Sequence, residues 1–216
     1  MVFRFVRFFE TQKRTCKSGL TLLYRKWYDR VLKSTVSCVF RDSIISLERR
    51  KFMRKVGIVM GSDSDLPVIK KTTEMLKTFD VPYEVHVFSA HRTPDEARDF
   101  ARSARENGIA VLIAAAGMAA HLAGAIAANT TLPVIGIPCK SNTFSGMDAL
   151  LSTVMMPTGI PVAAVAVDGG ANAALLALEI LAVSDDQLAE KLQEKRDRDA
   201  AAVLEKDRGI MARLED

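Results

Sequence analysis

From Lys55 onward, short runs of apolar, β-branched residues alternate with longer stretches in which apolar positions recur at helical spacing. The pattern predicts strands at about 55–60, 83–88, 110–115, 132–137 and 162–167, and helices at about 65–79, 94–107, 118–128, 146–154 and 171–182. Strands that are apolar along their whole length are covered on both faces, which is the mark of a parallel sheet between two helical layers. Right-handed crossovers then give an α/β three-layer αβα sandwich around an open parallel sheet. In such sheets ligands bind outside the carboxyl ends of the strands, so the loops after the strands are where chemistry is expected.

Two segments depart from this simple alternation. Ile109 to Ala128 carries His121 as its only strongly polar side chain and is long enough to suggest a membrane helix. Its first part reads instead as a buried parallel strand, and Ala119 to Ala128 as a helix with a small-residue packing face, in step with the repeats around it. No membrane association is expected. At the other end, Ser184-Asp185-Asp186-Gln187 reads as a capping box opening a last helix, with Leu188, Leu192, Val203 and Leu204 apolar among many charges and Gly209 interrupting or ending it. Residues 184–216 therefore either belong to the catalytic domain, 55–183, or pack on a neighbouring subunit, and a second subunit is the favoured partner.

Charge separates the first 54 residues from the rest. They hold 14 Lys/Arg against four Asp/Glu, leaving 16 basic and 22 acidic side chains for the remainder. The main domain is thus mildly acidic, which argues against nucleic acid as its partner. Residues 1–54 are rich in Phe, lack the βα period, and contain helix-like pieces such as Tyr24 to Arg30. A targeting leader, a basic arm for membrane or nucleic acid, and upstream sequence from a mis-assigned start compete as explanations. The last is preferred, because no clean leader pattern is present and Met53-Arg54-Lys55 directly precedes the first strand. Cys16, Cys38 and Cys139 are widely spaced and read as free thiols of a reducing, cytoplasmic compartment.

Chemistry concentrates at three strand ends. Ser89-Ala90-His91-Arg92-Thr93-Pro94 joins a strand to a helix, with Thr93 as N-cap, Pro94 at the first helical position and Glu96 completing a capping box. It places a proton carrier, His91, beside an anion clamp, Arg92. Gly61-Ser62-Asp63-Ser64-Asp65 ends the first strand with backbone N–H groups and two hydroxyls at a helix start, a setting that suits an anion. Ser62 and Ser64 are candidate phosphate ligands; Asp65 would be repelled by a phosphate and suits a ribose hydroxyl. The same residues also serve as ordinary helix caps, and the loop alone does not decide between the two. It is neither a GxGxxG fingerprint nor a P-loop. Gly117-Met118-Ala119-Ala120-His121 brings a second His and small residues that admit a flat ligand. His121 and His86 read as structural, and three scattered His with no paired Cys imply no metal. The Cys139–Asp148 loop and the Pro/Gly-marked Met155–Pro161 connection are candidate walls.

Gly61-Ser62-Asp63-Ser64-Asp65, Ser89-Ala90-His91-Arg92-Thr93-Pro94, Ala116-Gly117-Met118-Ala119-Ala120-His121-Leu122 and Met156-Pro157-Thr158-Gly159-Ile160-Pro161-Val162, in this order, closely resemble the PurE family of purine biosynthesis. The resemblance runs from residue 55 to about 208. It implies a flavodoxin-like subunit in a homo-octamer and the N5-carboxyaminoimidazole ribonucleotide mutase reaction, without metal, ATP or organic cofactor. A branch of the family that carboxylates aminoimidazole ribonucleotide directly with CO2 is the alternative, and a non-catalytic sensor of nucleoside monophosphates is another. Carried onto this chain, the resemblance implies His91 as general acid/base, Ser62 and Arg92 on the phosphate and Asp65 on the ribose, with Ser64, Ser89, Gly117 and His121 as secondary candidates. Met118 and Ala123 stand where many relatives are expected to have Gly and Pro.

Overall fold

The structure is a computed structural model that describes residues 54–210 and 214. The chain divides into two units at Phe52 and Met53, and the fold described is that of the second. The basic segment 1–54, apart from Arg54, lies outside the described residues, and so do Tyr24–Arg30, Cys16 and Cys38.

Five strands form one wholly parallel sheet: β1 (Lys55–Met60), β2 (Tyr83–Val87), β3 (Ile109–Gly117), β4 (Val134–Cys139) and β5 (Ala163–Ala164), in the order β2-β1-β3-β4-β5. The helices between and after them are α1 (Leu66–Thr78), α2 (Pro94–Ser103), α3 (Leu122–Ala127), α4 (Met147–Val154), α5 (Gly170–Ala182) and α6 (Asp186–Arg208), with a 3-10 turn at Asp63–Asp65. This is the flavodoxin-like three-layer order, in which the chain leaves β1 towards one edge and β3 towards the other, opening a crevice between their carboxyl ends.

Alternate residues of the central strands feed two cores. Val56, Ile58 and Met60 with Val111, Ile113 and Ala115 pack against α1 and α5, whereas Val59, Leu112 and Ala114 pack against α2 and α3 through Phe100, Ala101, Leu122 and Ile126. Truncating a side chain as fully enclosed as Ile58 or Ile113 to Ala costs about 2–5 kcal/mol. The α1–α5 contact is close enough to require glycine: a Cβ on Gly170 would lie 2.3 Å from the Val68 carbonyl oxygen. Thr72 Oγ1, buried there, donates to the Gly170 carbonyl at 2.9 Å.

Several boundaries and caps differ from the sequence pattern, each for a local reason. The fifth strand is two residues long, not 162–167; the chain still runs beside β4, with Val165 N donating to Gly136 O at 3.2 Å and Asp168 N to Pro138 O at 2.9 Å, but without a continuous ladder. The helix expected at 118–128 begins only at Leu122, because Met118 has φ 56° and turns the chain out of β3 in the left-handed region. The second helix ends at Ser103 rather than 107. Thr93 occupies the N-cap position, yet its hydroxyl makes no cap bond; it turns back to accept from Ser89 N at 2.8 Å. The capping box at Ser184 is likewise not formed. Asp185 is the cap, its Oδ1 accepting from Leu188 N at 3.1 Å, and Gly209 ends the helix. Leu188 and Leu192 are buried in this unit's own core, while Val203 and Leu204 farther along are exposed. Among the described residues no helix is long and apolar enough to cross a membrane.

Candidate active site

The carboxyl ends of β1, β2 and β3 place the three motif loops side by side. After β1, Gly61 N donates to Ala115 O of β3 at 3.0 Å, which extends the sheet's hydrogen bonding one residue into the loop. Ser62 then caps the 3-10 turn, its Oγ accepting from Ser64 N at 3.3 Å and donating to Asp63 Oδ1 at 3.1 Å. After β2, the Ser89 hydroxyl accepts from the backbone N–H of both His91 (3.3 Å) and Arg92 (3.2 Å), and this Ser turn aims the two side chains. Arg92 reaches across to the first loop, Nη2 donating to Gly61 O at 3.0 Å.

A pocket of about 510 Å³ lies between the loops after β1 and β2, lined by Gly61, Ser62, Asp63, Val87, Ser89, Arg92 and Thr93. Ser62, Ser89 and Arg92 are thus brought to one cavity. Ser64 is not part of its lining and spends its amide on Ser62. Arg92 remains exposed, free to present further N–H donors to an anion.

His91 and His121, thirty positions apart, meet across the loops after β2 and β3, with His91 Nε2 2.8 Å from His121 Nδ1. Both are exposed. His121 occupies the N-cap position of α3, where its carbonyl oxygen accepts from Ala125 N at 2.9 Å. His86 is elsewhere, stacked on Phe88 with ring centroids 5.1 Å apart and 3.7 Å from Glu84 Oε1.

A half-buried acidic floor around the buried Cys139, in which the motifs singled out Asp65 but not its neighbours Cys139 and Asp168, joins the ends of β1, β4 and β5. Cys139, 4 % exposed, donates its thiol hydrogen to the Ile137 carbonyl at 3.7 Å. Burial, reinforced by the negative charges of Asp65 and Asp168, pushes the Cys139 thiol up to about 12. Burial also raises the Asp65 carboxyl above the usual carboxylate value; Asp168 and Asp63 add to this, and hydrogen bonds from Ser62 and Cys139 work against it. Asp168 adopts φ 56° and its Oδ1 accepts from Lys140 N at 2.9 Å, pinning the loop after β4. Asp tolerates the left-handed region better than most residue types, which suits it to this position. Gly117 completes this wall: a Cβ there would lie 3.4 Å from the Cys139 carbonyl oxygen. Among the described residues no three His, Cys, Asp or Glu side chains gather as metal ligands.

Residues 55–202 match the family model described as AIR carboxylase. The chain belongs to this family. A relative from Pyrococcus abyssi, named N5-carboxyaminoimidazole ribonucleotide mutase, is 57 % identical over 145 residues, covering 67 % of this chain and 83 % of that protein. A chloroplastic phosphoribosylaminoimidazole carboxylase from Vigna aconitifolia is 42 % identical over 198 residues, covering 82 % of this chain but 36 % of that longer protein. Among solved structures, Treponema denticola PurE superposes with a TM-score of 0.66 at 30 % identity, covering 71 % of this chain and 96 % of that one. The family's matched segment contains every loop of the site, from Gly61 to Asp168.

Proposed function

We propose that the chain converts N5-carboxyaminoimidazole ribonucleotide to 4-carboxy-5-aminoimidazole ribonucleotide, an isomerisation in purine biosynthesis. The observation that carries this is the 57 % identity over 145 residues to a protein named as the mutase, beside a family match that spans residues 55–202. The reaction moves a carboxylate from the exocyclic nitrogen to carbon 4, so a proton must travel the opposite way. His91 supplies it to the nitrogen as CO2 leaves and recovers it from carbon 4 after CO2 has been attacked there; an imidazole suits both halves near neutral pH. Arg92 and Ser62, at one pocket, hold the phosphate, and Asp65, whose acidic surroundings repel a phosphate, holds a ribose hydroxyl.

Retaining CO2 between the two steps requires a covered site, yet His91 and His121 are exposed in the single chain. A homo-octamer would supply the cover. The exposed apolar side chains Phe144, Met147, Leu151, Val154 and Met155, on and around α4, support this reading. Light scattering of the purified protein tests it, with eight chains expected. A cytoplasmic location belongs to the same proposal.

The direct carboxylase alternative draws on the name of the Vigna relative. Purified protein given the N5-carboxy substrate, without ATP or bicarbonate, decides between the readings by the absorbance of the carbon-4 product. Product under those conditions is expected. Product only from aminoimidazole ribonucleotide with bicarbonate would favour the carboxylase, and nucleotide binding without product would favour a sensor.

A further inference from the structure

The two exposed imidazoles carry an inference that rests on the role given to His91 above. Their rings stand at 78° with centroids 4.9 Å apart, while His91 Nε2 and His121 Nδ1 are only 2.8 Å apart. A centroid separation that large for so short a nitrogen–nitrogen contact means the two nitrogens face each other along the line of centres. The contact is therefore an in-plane hydrogen bond, not one ring resting on the other's face. The backbone of His91 is fixed by Ser89, but among the described residues the His91 ring has His121 as its one recorded hydrogen-bond partner.

One hydrogen lies between the two nitrogens, and the chemistry of His91 decides which ring carries it. An acid that gives a proton and later takes it back alternates between imidazolium and imidazole. In the imidazolium both nitrogens carry hydrogen. If His121 Nδ1 also carried one, two donors would face each other and the contact would break in every cycle. If His121 Nδ1 offers its lone pair, the bond survives both states: His91 Nε2 keeps its hydrogen throughout, and Nδ1 is the atom that titrates.

We propose that His121 is a positioning residue, accepting the Nε2 hydrogen of His91 at its own Nδ1, and that Nδ1 of His91 gives and takes the substrate proton. The step balances within the substrate. The nitrogen–carboxylate bond breaks with its electron pair left on nitrogen, which receives the proton from His91 Nδ1. Carbon 4 then bonds to CO2, and the electrons of its C–H bond return to the ring as the proton passes back to Nδ1. His121 stays neutral, doing for His91 what a buried carboxylate does for the histidine of a Ser-His-Asp triad: fixing its tautomer and orientation.

The test uses the full-length protein labelled with ¹⁵N-histidine, read by solid-state spectra of the imidazole nitrogens, together with steady-state kinetics of three variants. The neutral His91 ring is expected to be protonated at Nε2 in the wild type and to become a mixture of tautomers in His121→Leu. That variant should lose about ten- to a hundredfold in kcat, the scale on which orienting partners act, with KM within about twofold. His121→Asn, whose amide oxygen can accept in place of Nδ1, should recover most of the loss. Neutral wild-type His91 protonated at Nδ1, or full kcat in His121→Leu, would overturn the proposal. Full turnover in His91→Asn would instead defeat the assignment of His91 itself, so the two failures are distinguishable.

Discussion

The exposed His91–His121 pair and the floor made by buried Cys139 with half-buried Asp65 and Asp168 lie at the same edge of the sheet, but opposite physical demands act on them. A group that exchanges protons during turnover has to reach substrate and keep both of its forms accessible, and loops beyond β2 and β3 provide that. The floor is the reverse case. Cys139 ends β4 inside the core, where water cannot stabilise a thiolate, and neighbouring carboxylates oppose a further negative charge. Depth below the strand ends therefore sorts titratable groups into those able to do chemistry and those that shape the site.

Because the thiolate is the reactive form, Cys139 should be alkylated by iodoacetamide at pH 8 at least about a hundredfold more slowly in the folded protein than in denaturant; comparable rates would remove the buried half of the comparison. Arg92→Ala should raise KM about tenfold or more, the loss of a charge-assisted hydrogen bond, with a smaller change in kcat; kinetics on the N5-carboxy substrate check this. Asp65→Asn should raise KM several-fold and also raise the melting temperature at neutral pH. The sign follows from the raised carboxyl: the folded state favours the protonated form, so that contribution is full below the unfolded pKa and is lost as pH rises through the folded one. Asn keeps the neutral form at all pH, so the gain should shrink as the pH falls towards the ordinary carboxylate value. The smallest effect is expected at Met118, held at φ 56° with its side chain largely in solvent. Met118→Gly should stabilise the protein by about 0.5–1 kcal/mol, relief of left-handed strain outweighing the entropy of glycine, as read by denaturant unfolding.

What could be read from sequence follows the same division. β1, β3 and β4 were legible because each is a continuous apolar run buried on both faces. β5 was not, because its pairing depends on where β4 lets it lie and on the irregular path to Asp168. The loops that hold Ser62, His91 and Arg92 were legible from residue types at strand-to-helix boundaries. The use of Thr93 was misread, since a hydroxyl at a helix start can serve the helix or the loop before it, and here it serves Ser89. His121 reads from sequence as a structural residue and only a secondary site candidate; its 2.8 Å contact with His91 depends on two loops thirty residues apart being carried to the same edge by adjacent crossovers. Asp65 is legible as a ribose ligand, but its grouping with Cys139 and Asp168 is not, for the same reason: the three come together only once β1, β3, β4 and β5 are placed in order.

His91 is proposed as the group that moves the proton. Steady-state turnover and equilibrium binding of the N5-carboxy substrate by His91→Asn test this most directly, because the exposed position of His91 leaves folding unaffected. The expected result is a loss of about a hundredfold or more in kcat, in the range of general acid–base catalysis, with the substrate dissociation constant within about threefold of wild type. Turnover at the wild-type rate would contradict the account.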